Sequence, residues 1–301
     1  MTDPSIHVVA DDRSGAMEAA ALCADAGFDA WVVSWDGDHV DDRPGRCVVT
    51  DLRSRHVGAP EAARRAALAS SAPGARLLHK IDSTLRGNWV GELAALRGGR
   101  RVVLVPTYPA AGRTCVGGVV RVHGVPVADT EFGTDAHNPV RSSRPADSLT
   151  AIGPIAHAVD VTALGTWLHS GAAGVCIVDA STDEEGDAIA QQLVDADVLV
   201  CGTAGGVGAC ARALRDHRRP STPVVPVGST VVVCGTRHPV SRAQAAAVED
   251  LAGVTVFYPP DTLRADPEVV AIELAVRAHD HLAAHGAALV VLLGGDTADA
   301  F

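Results

Sequence analysis

The sequence predicts an α/β protein of two domains, each a mostly parallel sheet flanked by helices. Three observations carry this: short β-branched runs alternate with alanine-rich stretches of helical length, polar residues collect just after the runs, and one proline-rich segment interrupts the rhythm late in the chain. In order, the runs are IHVVA (6–10), AWVVS (30–34), CVVTDL (47–52), RLLHKID (76–82), RVVLVP (101–106), VCIVDA (175–180) and VLVCGT (198–203). Helices are expected near 14–26, 60–71, 88–97, 183–195 and 206–216, each opening at a turn or capping residue. Residues 107–145 break the pattern with Gly, Pro and Thr and a hairpin signal at VVRVHGVPV, and a loop of that length in a compact domain is usually functional.

The segment DHRRPSTPVVPVGST (216–230), with three prolines, reads as a linker, so the domains are placed at 1–217 and 231–301 with the linker at 218–230. The rhythm then resumes with VVVCGT (231–236), a helix near 239–252, VTVFYPP (254–260), a helix near 267–285 and ALVVLLGGDT (288–297). The sequence stops at TADAF, where a further helix begins. Three strands make a small domain, and we expect one that is cut short or completed by a partner.

A chain of 301 residues, 47% hydrophobic and 20% charged, can bury a substantial core. Its 36 acidic against 25 basic residues, net −11 with no basic stripe, argue against nucleic acid as a partner. The start MTDPSIHVVADDRSG has acids where a signal peptide needs a basic region, and the apolar runs are strand-sized. A cytoplasmic protein without a membrane partner is expected, and a homo-oligomer is among the assemblies the sequence allows. Seven cysteines (Cys23, Cys47, Cys115, Cys176, Cys201, Cys210 and Cys234), an odd number with no CxxC pair, read as small buried hydrophobes.

Ligands of open α/β sheets collect beyond the carboxyl ends of the strands, and the polar residues here cluster there. Asp11 and Asp12 follow the first run, Asp51, Ser54 and Arg55 the third, Lys80 and Asp82 the fourth. Asp11 and Asp12 fit general-base or magnesium chemistry, and equally the capping of a helix. Lys80 is the one lysine among 25 basic residues. Where arginine has replaced lysine everywhere else, a retained lysine marks a site that needs a compact ammonium, unless it is a chance survivor. Around it, KIDSTLRGN (80–88) gathers a lysine, a carboxylate, two hydroxyls, an arginine and an amide at a strand-to-helix turn. Arg86 can grip a carboxylate with two hydrogen bonds while Ser83 and Asn88 read hydroxyls, a set suited to an oxygen-rich anion.

GTAGGVGACA (202–211) satisfies a loose dinucleotide pattern through Gly206, Gly208 and Ala211, but no strand ending in an acid follows it, so tight packing is the better reading than nicotinamide binding. CGTRHPVSRAQ (234–244) and LGGDTA (293–298) are small-residue turns between strand and helix, each an ordinary turn or a phosphate cradle; two in one domain favour phosphate. His281 and His285 stand one helical turn apart without a third ligand and read as an exposed helix face. The metal content is left unassigned.

These motifs resemble the four-carbon acid sugar kinases, which phosphorylate tetronates and 3-oxo-tetronates with ATP. ADDRSGA (10–16) is similar to that family's ADDxTGA opening, LRSRHVGAPEA (52–62) to its Ser-Arg segment through Ser54 and Arg55, and KIDSTLRGN to its most specific motif. PTYPAAGRT (106–114), GVPVADTEF (124–132) and NPVRSS (138–143) resemble its PAFPxxGRT loop and the segment after it. CGTRHPVSRAQ resembles GSxSPxTxxQ, with Thr236 in the serine position, and GGDTADA resembles GGDTA. The resemblance implies a sugar-acid domain at 1–217 and a nucleotide domain at 231–301, with phosphoryl transfer from ATP, aided by Mg2+, in the cleft between them. Strand-end placement, rather than the family pattern, suggests Asp12 as the group that orients or deprotonates the hydroxyl, with Asp82 as its rival and Lys80 as a point charge at the reacting oxygens. Asp11, Ser54, Arg55, Ser83, Arg86, Asn88 and Arg113 would surround the sugar acid, and Gly235, Thr236, Gly294, Gly295, Asp296 and Thr297 the nucleotide. The family continues past GGDTA into further glycine-rich segments that complete its nucleotide site, so a silent member that binds a sugar acid with weakened or lost ATP binding is the alternative expectation.

Overall fold

The computed structural model describes residues 4–35, 46–69, 74–135, 137–215, 227–259 and 267–301, which form two compact units divided between Ser221 and Thr222. The first unit runs β1 (Ile6–Ala10), α1 (Arg13–Asp25), β2 (Asp29–Ser34), β3 (Arg46–Asp51), α2 (Ala59–Ala69), β4 (Arg76–Lys80), α3 (Trp89–Arg97), β5 (Arg101–Val105), β6 (Arg113–Val116), β7 (Val119–Val122), β8 (Val125–Pro126), α4 (Pro145–Ser148), β9 (Ile155–Ala158), α5 (Val161–Ser170), β10 (Val175–Val178), α6 (Asp183–Leu193), β11 (Val198–Gly202) and α7 (Ala204–Leu214). Eight strands make one parallel sheet in the order β2-β3-β1-β4-β11-β5-β10-β9.

Both faces of that sheet are covered, which is why its strands read as continuous apolar runs. On one face Val8, Val49, Leu78 and Val200 pack with Ala16, Ala19 and Cys23 of α1 and Val207 and Ala211 of α7. On the other, Val9, Leu77 and Val102 pack with Ala66 of α2 and Leu93 and Leu96 of α3. The glycines of GTAGGVGACA serve this packing: a β-carbon on Gly208 would lie 3.0 Å from Leu22, and one on Gly206 3.2 Å from the Val105 carbonyl. All seven cysteines are buried and unpaired.

The long loop holds more structure than its composition predicts. β6, β7 and β8 form a small antiparallel sheet, the hairpin signal at VVRVHGVPV accounting for β7 and β8. β9 and α5 have no counterpart in the expected elements; IAHA is a four-residue edge strand, three of whose residues are not buried, so it lacks the apolar run that marks the inner strands.

The second unit is β12 (Thr230–Cys234), α8 (Pro239–Ala246), β13 (Val254–Phe257), α9 (Pro267–His285), β14 (Leu289–Leu293) and α10 (Gly295–Ala300), its parallel strands ordered β13-β12-β14. Residues 218–226 of the expected linker lie outside the described residues; β12 begins at Thr230, one residue inside the linker as drawn, and α8 stops at Ala246 rather than near 252. Val231 and Val233 pack with Leu274 and Ala278, and Val232 and Cys234 with Ala245 on the opposite face. The rings of His281 and His285 stack 4.5 Å apart. Among the described residues, no helix is long and apolar enough to cross a membrane.

β1 also carries a buried histidine. His7 Nε2 lies 3.0 Å from the Thr50 hydroxyl, its Nδ1 has no partner, and burial lowers its pKa from 6.5 to about 4. The unfolded chain takes up this proton near pH 6.5 and the folded one only near 4, so the stability from neutral His7 is complete above pH 6.5 and is lost as pH falls toward 4, by up to about 3 kcal/mol. Thermal midpoints measured from pH 7 to 4 should fall through this window, and His7→Gln should flatten that part of the profile.

Candidate functional site

β3, β1 and β4 are neighbours, Ala10 lying opposite both Asp51 and Lys80. Chain order reverses around β1, so a crevice is expected beyond these carboxyl ends. Arg55 fills its floor. Its Nε donates to Asp11 Oδ2 at 2.8 Å, its Nη1 pairs with Asp12 Oδ2 at 2.8 Å, and its Nη2 lies 3.5 Å from Asp82 Oδ1. The three carboxylates outweigh the effect of burial and hold its pKa above the ordinary value.

The carboxylates on this one guanidinium have different environments. Asp82 also accepts from Arg86 Nε at 2.9 Å and Nη2 at 3.2 Å, from the Thr84 hydroxyl, and from the backbone N–H groups of Thr84 and Arg86 at 3.3 Å each. Burial pushes its pKa up, but Arg55, Arg86 and Lys80 together hold it well below the usual range. The turn that presents these donors places Leu85 at φ 65° and Gly87 at φ 83°, a left-handed conformation that costs a branched side chain about 1 kcal/mol or more. Asp12 caps α1, its Oδ1 accepting from Gly15 N at 2.9 Å. Burial, with the Asp11 charge beside it, raises its pKa against the pull of Arg55 and Lys80. The capping and acid–base readings of Asp12 are therefore compatible: one oxygen caps, the other faces the cations.

Lys80 is 3% exposed. Among the described residues no ion pair ties its ammonium to a carboxylate, while Asp12, Asp82 and Glu18 act on it at longer range. It lies over the start of α1, where a β-carbon on Gly15 would be 2.0 Å from Nζ and 2.6 Å from Asp12 Oδ1. A nearly buried ammonium without a direct ion pair can take an anionic or oxygen-rich ligand.

The structure brings every residue singled out at these strand ends into one neighbourhood, but reassigns four of them to the frame. Ser54 is fully buried and its hydroxyl donates to Glu92 Oε1 at 2.6 Å, so it does not read a ligand hydroxyl. Asn88 spends both amide N–H donors on the Ser54 and Val57 carbonyls at 2.8 and 2.9 Å. The carboxylate that Arg86 grips with two bonds is Asp82; its Nη1 reaches Asp135 at 3.3 Å and its guanidinium stacks on Phe132. Asp11 is fully buried beneath Arg55. Asp12 and Ser83 are partly exposed and Lys80 nearly buried at these strand ends. Arg113 is half-buried, its Nη1 bonded to the Ala111 carbonyl and its Nε buried without a partner. Sequence reasoning missed Glu18, one turn along α1 from Gly15 at the rim. Burial raises its pKa, and Lys80 and then Arg113 pull it back. The three-residue spacing from Gly15 to Glu18 on one helix face was the available signal.

In the second unit the turns after β12 and β14 meet, Gly235 N and Thr236 N donating to the Leu293 carbonyl at 3.2 and 3.3 Å. They line a cavity of 510 Å³ bounded by Gly235, Thr236, Arg237, Pro259, Val270, Ala271, Gly294, Gly295, Asp296 and Thr297. That volume is in the range of small-molecule sites. A β-carbon on Gly235 would lie 2.1 Å from the Thr297 hydroxyl, and Gly294 has φ 117°, so neither position accepts a side chain without strain.

A family model described as a sugar-binding N-terminal domain matches residues 6–210. The chain belongs to that sugar-binding family. Its relatives bear out the resemblance to four-carbon acid sugar kinases. A D-threonate kinase of Salmonella typhimurium is 30% identical over 256 residues, covering 79% of this chain and 59% of that protein. A D-erythronate kinase of Heliobacterium modesticaldum is 28% identical over 270 residues, covering 82% and 60%. The chain thus spans about three fifths of the length of these curated relatives. A Bordetella bronchiseptica member, solved as a domain-swapped dimer with bound citrate, superposes with a TM-score of 0.61 at 25% identity, covering 99% of this chain and 85% of that one.

The Gly15 contact gives a direct test of this geometry. Gly15→Ala should displace the Lys80 ammonium, read as a shift of its Nζ and Cε resonances, while its better helix propensity, about 1 kcal/mol, keeps the thermal midpoint near that of the parent protein.

Proposed function

We propose that the chain binds a four-carbon sugar acid at the β3-β1-β4 strand ends and phosphorylates one of its hydroxyls from ATP. The observation that carries this reading is Lys80, 3% exposed and without an ion pair among the described residues, at strand ends that also carry Asp12 and the half-buried Ser83. Such a site suits a small ligand bearing both negative charge and hydroxyls, and the D-threonate and D-erythronate kinase relatives supply the class.

Within it, Asp12 is the better base. Burial and the Asp11 charge raise its pKa, whereas Asp82 is held down by two arginines and accepts from Thr84 as well. In the transfer, the substrate hydroxyl gives its proton to Asp12 as its oxygen bonds to the terminal phosphorus, and the bond to ADP breaks. Lys80 stabilises the oxygens that carry the charge.

The cavity of the second unit fits a nucleotide: Thr236, Arg237 and the Gly294 turn offer donors to phosphates, and Pro259, Val270 and Ala271 offer an apolar wall to a base. Magnesium, when bound with ATP, neutralises phosphate charge, and Asp296 is the carboxylate lining this cavity.

ADP release from the protein with Mg-ATP and a panel of threonate, erythronate and their 3-oxo forms tests the reading; no turnover with any of them contradicts it. Calorimetry that finds sugar-acid binding without ATP binding would establish the silent form instead. With an active substrate, Asp12→Asn should lower kcat by roughly a thousand-fold. In the parent protein kcat/KM should fall as pH drops through the raised Asp12 pKa, because the base must be ionised to accept the proton. Lys80→Arg keeps the charge and changes its shape; unchanged turnover would remove Lys80 from the mechanism.

A further inference from the structure

Beneath the crevice, on the α2–α3 side of the sheet, lies a chain of fully buried polar groups that the proposed chemistry does not use. Glu92, in the first turn of α3, is 0% exposed, as are His79 and Ser54. Glu92 Oε1 accepts from the Ser54 hydroxyl at 2.6 Å, and its Oε2 lies 3.1 Å from His79 Nε2. His79 Nδ1 is 3.4 Å from Cys201 Sγ on the neighbouring strand, where the register sets the two residues side by side. Burial pushes the His79 pKa down, but Cys201 and Glu92 outweigh it and raise it to about 10.

A buried carboxylate inside a helix is expensive, and capping does not require it here. What it holds is the turn that carries Arg55. Ser54 is fixed through its hydroxyl by Glu92, through its carbonyl by Asn88, and through its N–H, which donates to the Asp11 carbonyl at 2.9 Å. Arg55, the next residue, bridges Asp11, Asp12 and Asp82. His79 precedes Lys80, and alternation along β4 sends their side chains to opposite faces of the sheet. The same His79–Glu92 contact thus joins the strand that delivers the ammonium to the turn that delivers the guanidinium.

We infer that Glu92, paired with His79, is a positioning residue for the sugar-acid site, acting through Ser54 to hold Arg55 on its three carboxylates. This rests on the reading of the crevice as a sugar-acid site, but its structural half can be read without a ligand. In the full chain, the Arg55 Nε–H resonance should be shifted and slow to exchange because of its bond to Asp11. Ser54→Ala and Glu92→Ala should each return it toward the values of a solvated arginine. Each should also weaken binding of the D-threonate or D-erythronate that the parent protein binds by roughly ten-fold or more, and the double variant should lose no more than the worse single one. Glu92→Gln keeps an acceptor for Ser54 in the same volume and should restore the Arg55 signal and most of the affinity.

Glu92→Gln and Ser54→Ala remain readable should Glu92→Ala fail to fold. An unchanged Arg55 resonance in Ser54→Ala, or affinity losses that simply add in the double variant, would overturn the inference. If the parent protein binds neither acid yet the Arg55 resonance responds as described, the positioning role stands and the sugar-acid reading falls.

Discussion

The first unit depends on one guanidinium placed among three carboxylates. Arg55 gathers Asp11 and Asp12 from the end of β1 and Asp82 from beyond β4, while belonging itself to the turn after β3. Three adjacent strand ends are thereby tied at one point. Three carboxylates this close would repel one another strongly in a buried setting. Arg55, Arg86 and Lys80 supply three positive charges against them, and the balance determines which carboxylate keeps a usable proton affinity. Asp82, with Arg86 clasped on it, does not; Asp12, facing burial and the Asp11 charge, does.

This balance also explains why arginine and lysine are not exchanged here. Arg55 and Arg86 act through planar forks, each donating from several nitrogens to carboxylates whose positions are fixed. Lys80 sits above Gly15, where a β-carbon would already collide with a single ammonium. A guanidinium is wider still. The chain can dispense with lysine on its solvated surface, where shape matters little, and keep it at a seat of this size.

Much of the fold was legible because the sheet is parallel and covered on both faces: runs such as IHVVA and VLVCG are apolar end to end and end in polar turns. β9 was not legible, since a partly exposed four-residue edge strand carries no such run. The site was legible as a neighbourhood, since strand-end placement brought Asp11, Asp12, Arg55, Lys80 and Asp82 together. The division of labour within it was not. Whether Ser54, Asn88 and Arg86 face a ligand or the protein depends on Glu92, Val57 and Asp135, partners that local sequence does not identify. Glu92 in particular reads as an ordinary acid in a helix's first turn, and only the tertiary packing shows it to be buried against His79. In the second unit the two glycine turns were visible as motifs, and the cavity they line follows from the pairing of β12 with β14.

Under the proposed function a sugar acid meets Lys80, whose ammonium has no ion pair among the described residues. A crystal structure of the full chain soaked with D-threonate or D-erythronate tests this most directly. The account predicts a carboxylate or hydroxyl oxygen of the acid at about 3 Å from Lys80 Nζ, with a hydroxyl facing Asp12. An acid bound elsewhere in the first unit, with Lys80 still without a ligand oxygen, would contradict it.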